Sequence, residues 1–131
     1  MAELAFKEGL EYSKVREAFK KPIGDFQHNS FKIAEMATDV TIGRNFLETL
    51  IAEYIRGENI DPTRVSMAKA YLGEMVNRVA YHSLQLHGGY GYMEEYKISR
   101  IYRDVRALSI LAGTTEIMKL IIARSLGFNP Q

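Results

Sequence analysis

The chain has 131 residues, 47% of them hydrophobic and 25% charged, with no cysteine. That length fits one domain with a real core, and the missing thiols exclude disulfides, thiolate metal sites and cysteine nucleophiles. The net charge is 17 − 16 = +1, so no general field favours nucleic acid or an anionic membrane, although a local basic patch is still allowed.

No apolar stretch has the length of a membrane span. The N-terminal residues carry early acids and no continuous apolar run, so a secretory signal is not expected and a cytoplasmic location is the default. The three prolines, Pro22, Pro62 and Pro130, fall where helices could start or have already stopped, which leaves long uninterrupted segments between them.

The first predicted helix runs from about Ala2 to Lys20, on the stripe Ala5, Gly9, Tyr12, Val15 and Phe19 at steps of three and four. Lys21-Pro-Ile-Gly-Asp25 then breaks the pattern. The second runs from about Gln27 to Arg56, on Ile33, Ala37, Val40, Gly43, Leu47, Leu50, Ile51 and Tyr54. Gly57 and Asn59 are stop signals, and Asp61-Pro62 reads as an N-cap with proline at the first helical position. The third carries Val65, Ala68, Leu72, Met75 and Val79 towards Leu86 and stops at Gly88-Gly89.

After the loop Gly88-Gly-Tyr-Gly-Tyr92 a shorter helix is predicted from about Lys97 to Leu108. Ala112-Gly-Thr-Thr115 interrupts again, and a last helix covers Glu116 to about Ser125. No strand-type alternation and no repeat stand out. The prediction is an all-α fold, an up-down-up-down four-helix bundle with a short C-terminal helix, forming one domain over residues 1–131.

Generic sites are weak. His82 and His87 are five apart rather than the four that shares a helical face, and no HExxH occurs, so no metal site is expected. No GxSxG surrounds Ser83 or Ser109. The glycine loop follows no strand and lacks GK[ST], so it fits neither a dinucleotide fingerprint nor a P-loop. Glu94-Glu95 read as solvated charge. Arg103, Asp104 and Arg106 form either a salt-bridged helix face or an anion contact.

Three segments together are more specific. Val15-Arg-Glu-Ala-Phe19 followed by Lys21-Pro-Ile-Gly-Asp-Phe-Gln27 is similar to R-x-x-F-G-x-x-[IL]-x-x-x-Q. Gln85-Leu-His-Gly-Gly-Tyr-Gly-Tyr92 is similar to Q-x-x-G-G-x-G-[YF]. Tyr102-Arg-Asp-Val-Arg106, followed by Ala112-Gly-Thr-Thr-Glu-Ile117 and Ala123-Arg124, is similar to the block R-D-x-x-x-x-x-[IL]-x-x-G-T-x-E-[IV]. In this order and spacing the chain resembles the C-terminal helical domain of the acyl-CoA dehydrogenase family.

The resemblance implies FAD and an acyl-CoA substrate. In that chemistry a carboxylate takes the α-proton of the thioester and the β-hydrogen leaves as hydride to the flavin, giving an enoyl-CoA. It also implies a subunit with an N-terminal helical and a middle β domain beside this bundle, and a homo-oligomer, dimer or tetramer, with cofactor contacts from a neighbouring subunit. Carried over by position, Arg16 meets the FAD pyrophosphate, with Phe19 and Gln27 flanking. Gln85 and the backbone of Leu86, His87, Gly88 and Gly89 meet the adenosine end. Thr114, Thr115 and Glu116 lie at the last loop–helix junction, with Ala112 and Gly113 near the substrate.

Three departures matter. Ala112 stands where many members have their catalytic glutamate, so no catalytic residue is expected in this chain. In isovaleryl-CoA- and long-chain-like members a small residue stands there, and the base comes from early in the first bundle helix, which aligns upstream of Met1. Lys20 stands where glycine is usual, which puts the local turn in question. The first helix also starts late, so apolar surface should lie uncovered. The resemblance leaves two alternatives: a non-enzymatic oligomerisation or interaction module, or a domain of a related acyl-CoA oxidase or flavin monooxygenase. The isolated chain is expected to be inactive and without FAD.

Overall fold

The computed structural model describes residues 1–130. Five α-helices carry the chain: α1 (Ala2–Val15), α2 (Gln27–Ile55), α3 (Pro62–His87), α4 (Lys97–Val105) and α5 (Thr115–Ser125). Short 3-10 turns cover Ile23–Asp25, Gly88–Tyr92 and Arg106–Ser109. The fold is all-α, as the helical periodicity predicts. Among the described residues no helix is long and apolar enough to cross a membrane.

Helix α3 is the central element and packs against each of the other four. Its start follows the sequence signal: Asp61 accepts from the Thr63 backbone N–H at 2.8 Å, with Pro62 in the first turn. Arg64 then reaches back across the loop and donates twice to Glu53 near the end of α2, at 2.7 and 2.9 Å. Along α3, Ala68, Met75, Val76, Val79, Ala80 and Ser83 are buried at steps that keep them on adjoining faces. Of these, Met75, Val76, Val79 and Ala80 meet Ala5 of α1, Met36 of α2, and Ile98, Ile101 and Val105 of α4 in one core. Helix α1 comes very close to α3 where Gly9 crosses Ser83. A Cβ on Gly9 would stand 2.7 Å from the Ser83 hydroxyl oxygen, so only glycine permits this approach.

The predicted first helix is too long by five residues. It ends at Val15, Arg16 is extended (φ −76°, ψ 123°), and Val15 and Phe19 are exposed rather than part of the stripe. A small hairpin follows, β1 (Glu17–Ala18) paired antiparallel with β2 (Lys21–Pro22). It supplies the pairing that further helix would have supplied, and Ile23 N–H closes it onto the Arg16 carbonyl at 2.8 Å. Its two-residue turn puts Phe19 at φ 52° and Lys20 at φ 67°, the left-handed pair such a turn needs.

Helix α4 is shorter than predicted and tightens to a 3-10 turn at Arg106. The Asn77 amide on α3 donates to the Val105 carbonyl at 3.2 Å, satisfying a group that the helix end leaves free. Helix α5 begins one residue early, at Thr115. In the second half of α2, Leu47, Ile51 and Tyr54 are exposed, although the stripe marks them as core. An apolar groove of about 530 Å³ runs there beside Met1, lined by Val40, Gly43, Leu47, Leu72, Met75 and Leu108.

Candidate functional site

A cavity of about 450 Å³ lies at the C-terminal end of α3, lined by Arg16, Ile23, Gln85, Leu86, the His87–Tyr90 turn and Met93. The structure therefore joins the first and second motifs, which are far apart in sequence. The break in α1 places Arg16 there: as the first extended residue after the helix it leaves the bundle surface. Its guanidinium stands 5.8 Å from the centre of the Tyr90 ring. Among the described residues no carboxylate is within ion-pair distance of it.

Gly88 closes α3 with φ 59° and ψ −138°, a conformation that only glycine adopts freely. A Cβ on Gly89 would meet nothing within 4 Å, so the main chain there is open to a ligand. Gly91 packs in the opposite sense: a Cβ would come within 2.8 Å of the Leu84 carbonyl oxygen. A fixed positive charge without a counter-carboxylate, the exposed Gln85 amide and open main chain suit an anionic diphosphate.

The structure distributes the other expected site residues differently. His87 contributes backbone to this cavity, while its side chain is buried and stacks on Tyr12 at 4.1 Å between ring centres. Phe19 and Gln27 do not line the cavity. Phe19 is 92% exposed at the hairpin tip, edge-on to Phe26, and Gln27 is exposed at the start of α2.

Ala112, Gly113, Thr114, Thr115 and Glu116 form a second place altogether. Thr114 caps α5, its hydroxyl oxygen accepting from Ile117 N–H at 3.3 Å. Thr115 is buried and donates to Glu74 at 2.7 Å. The Glu116 carboxyl is held below the usual range, chiefly by its own backbone N–H and then by Thr114. Ala112 is exposed at φ 53° and Gly113 sits at φ 96°. Thr115 docks beside Glu74, and thirteen residues of α3 separate Glu74 from His87, about 20 Å at the helical rise. The Ala112–Glu116 end of the third motif does not meet the first two, whereas Arg103 lines a separate cavity with Leu84, Gly91 and Tyr92.

Sequence reasoning missed the Tyr90 ring that faces Arg16 and the rings linked to it, Tyr96 and, through Tyr96, Tyr12. The spacing of Tyr12, one helical turn before Arg16, was the available signal. Arg103 lies in a salt-bridged surface, 3.5 Å from Glu94 and 3.7 Å from Asp104, and Arg106 donates to the Ser109 hydroxyl at 2.8 Å. Among the described residues no group of three His, Cys, Asp or Glu converges as metal ligands would.

Residues 1–127 match the family described as acyl-CoA dehydrogenase, C-terminal domain. The chain belongs to that family. The domain is 38% identical over 126 residues to a 3-(aryl)acrylate reductase of Clostridium sporogenes, covering 96% of this chain and 33% of that protein. It is 40% identical over 124 residues to the mitochondrial long-chain specific acyl-CoA dehydrogenase of Rattus norvegicus, covering 95% and 29%. An acyl-CoA dehydrogenase structure from Geobacillus kaustophilus superposes with a TM-score of 0.93 at 50% identity, covering 97% and 33%. The domain thus spans about a third of the length of the relatives it matches.

Proposed function

We propose that this chain is the C-terminal bundle of an FAD-dependent acyl-CoA dehydrogenase, in which Arg16 and the Gln85–Gly89 turn bind the cofactor's diphosphate and adenosine end. The observation that carries this reading is Arg16, a cation with no paired carboxylate among the described residues, facing main chain opened by Gly88 and Gly89. When bound, the flavin supplies the acceptor for a hydride from the substrate's β-carbon. This chain's part is to bind and orient: the guanidinium holds negative charge, Gln85 fixes the register, and the turn excludes bulk from one wall. Phe19 and Gln27, both exposed beside the hairpin, approach the cofactor from outside the cavity.

The junction at Thr114–Glu116 lies about 20 Å along α3 from this cavity. We therefore assign it to the cofactor site of a second copy, so that one site draws on two copies of the domain in a dimer or tetramer. The loop–helix junction at the start of α5 is its contribution. The apolar groove beside Met1 and the exposed Leu47 and Ile51 are consistent with further packing in that assembly. Ala112 and Gly113 border the substrate. Alanine has no ionisable group, so the base that takes the α-proton comes from elsewhere in the parent enzyme. The reductase relative favours one second reading, the reverse direction, in which a conjugated double bond is saturated.

The deciding experiment is co-expression with the N-terminal helical and middle β domains of a relative. A yellow complex that reduces an electron acceptor with an acyl-CoA, and loses bound flavin on Arg16→Gln, is expected. The chain alone should be colourless and inactive. A complex that binds flavin equally well with Arg16→Gln would overturn the assignment of the cavity.

A further inference from the structure

Among the described residues Arg16 faces the Tyr90 ring rather than an acid. Tyr12 lies one turn before it on α1 and stacks on His87, the last residue of α3, with centres 4.1 Å apart and planes 23° apart. Tyr96, just before α4, stands edge-on to both, 6.2 Å from Tyr12 and 5.8 Å from His87. Tyr90 meets Tyr96 at 5.6 Å and carries the Arg16 guanidinium 5.8 Å from its own centre. The contacts start on α1, cross to the end of α3, pass through the segment before α4 and return to the residue after α1. The His87 ring is fixed within this circuit. Its Nδ1 lies 2.8 Å from the Ser83 carbonyl oxygen, and a carbonyl only accepts, so Nδ1 carries the hydrogen and donates.

This way of holding a cation has a chemical consequence. An arginine side chain has about 2 kcal/mol of rotamer freedom, so an unheld guanidinium faces a ligand only part of the time. A carboxylate partner would hold it, but would also neutralise it and compete with an incoming phosphate. The face of a ring attracts the cation without removing its charge. We propose that Tyr90, backed by Tyr96, His87 and Tyr12, is a positioning device that keeps Arg16 fixed beside the Gly88–Gly89 turn while leaving its full charge for an anionic diphosphate. The proposal rests on the reading of the cavity given above and adds the residues that set its geometry. Tyr12 remains neutral at neutral pH, since burial pushes its phenol up and Arg16 only partly opposes that.

The test uses the chain itself and inorganic pyrophosphate as probe. The proton–nitrogen NMR signal of the Arg16 Nε–H, assigned by its loss in Arg16→Gln, should lie upfield because of the Tyr90 ring and move as pyrophosphate is added. Tyr90→Leu should remove the upfield displacement and weaken pyrophosphate binding about two- to fivefold, the size of an exposed cation–π contact. Tyr90→Phe should restore both, because it keeps the ring face. Tyr12→Leu should weaken binding in the same direction, although Tyr12 meets Arg16 through its backbone carbonyl, which accepts from Arg16 N–H at 2.9 Å, and the substitution leaves that carbonyl in place. Circular dichroism of each variant separates loss of fold from loss of position. If Tyr90→Leu and Tyr12→Leu bind pyrophosphate as the parent chain does while Arg16→Gln does not, the positioning role is overturned and the cavity assignment stands. If Arg16 ignores pyrophosphate in the parent chain, the cavity assignment fails and the proposal with it.

Discussion

Two turns flank Arg16, and they are built on opposite terms. The Gly88–Tyr92 turn uses glycine where its backbone turns left-handed, and tucks Gly91 against the Leu84 carbonyl. The hairpin on the other side also requires a positive φ, but of Phe19 and Lys20, and leaves Phe19 almost wholly in solvent. A left-handed residue with a Cβ costs about 1–2 kcal/mol, and no burial at Phe19 offsets it within this chain. The first turn is anchored to the bundle through the buried Gly91; the second is a strained projection whose apolar tip lies in solvent.

The largest test of this contrast is Gly91→Ala. The added methyl would meet the Leu84 carbonyl oxygen at 2.8 Å, and backbone cannot swing aside as a side chain can. A loss of about 1–3 kcal/mol is expected, read from urea unfolding, with the Arg16 cavity disordered in the same variant. In the hairpin the sign should reverse. Lys20→Gly, which relieves the left-handed strain, should stabilise the chain by about 0.5–1 kcal/mol after the entropy of the unfolded glycine is counted. A destabilisation there would show that the Lys20 side chain has a role that its exposure hides.

A third region calibrates both. Thr114→Ala removes the α5 cap and should cost about 1 kcal/mol, a thermal shift that leaves the Arg16 signals where they were. The smallest effect concerns pH. The Glu116 carboxyl has a depressed pKa in the folded chain, from its own N–H and Thr114. Its contribution is therefore present above the ordinary carboxylate range and is lost as pH falls through the depressed value. Denaturation in acid should show that loss in the parent chain and less of it in Thr114→Ala.

The helices were legible because their signals are local. Asp61-Pro62 and Gly88 mark the ends of α3, and both act as the sequence predicts. The end of α1 was not legible. Val15 and Phe19 continue the helical spacing, and only the hairpin pairing and the Arg16 carbonyl's bond to Ile23 show that backbone satisfied elsewhere overrides the pattern. Leu47, Ile51 and Tyr54 were misplaced for a related reason: periodicity reports which face is apolar, not what covers it. In the candidate site, Arg16 and the Gln85–Gly89 turn were found from motif resemblance. Their convergence, and the separation of Thr114–Glu116 from them, depend on distances along α3 that no local pattern carries. The aromatic circuit went unseen because its four rings come from four separate segments: α1, the end of α3, the turn after it and the residue before α4.

The central position of α3 also sets a timescale. A helix packed on four sides cannot open one neighbour at a time, so the amides from Met75 to Ser83 should exchange with solvent only when the whole domain unfolds. The hairpin tip and the end of α5 face no such barrier and should exchange early. The wall of the Arg16 cavity that α3 supplies thus stays in place through local fluctuations.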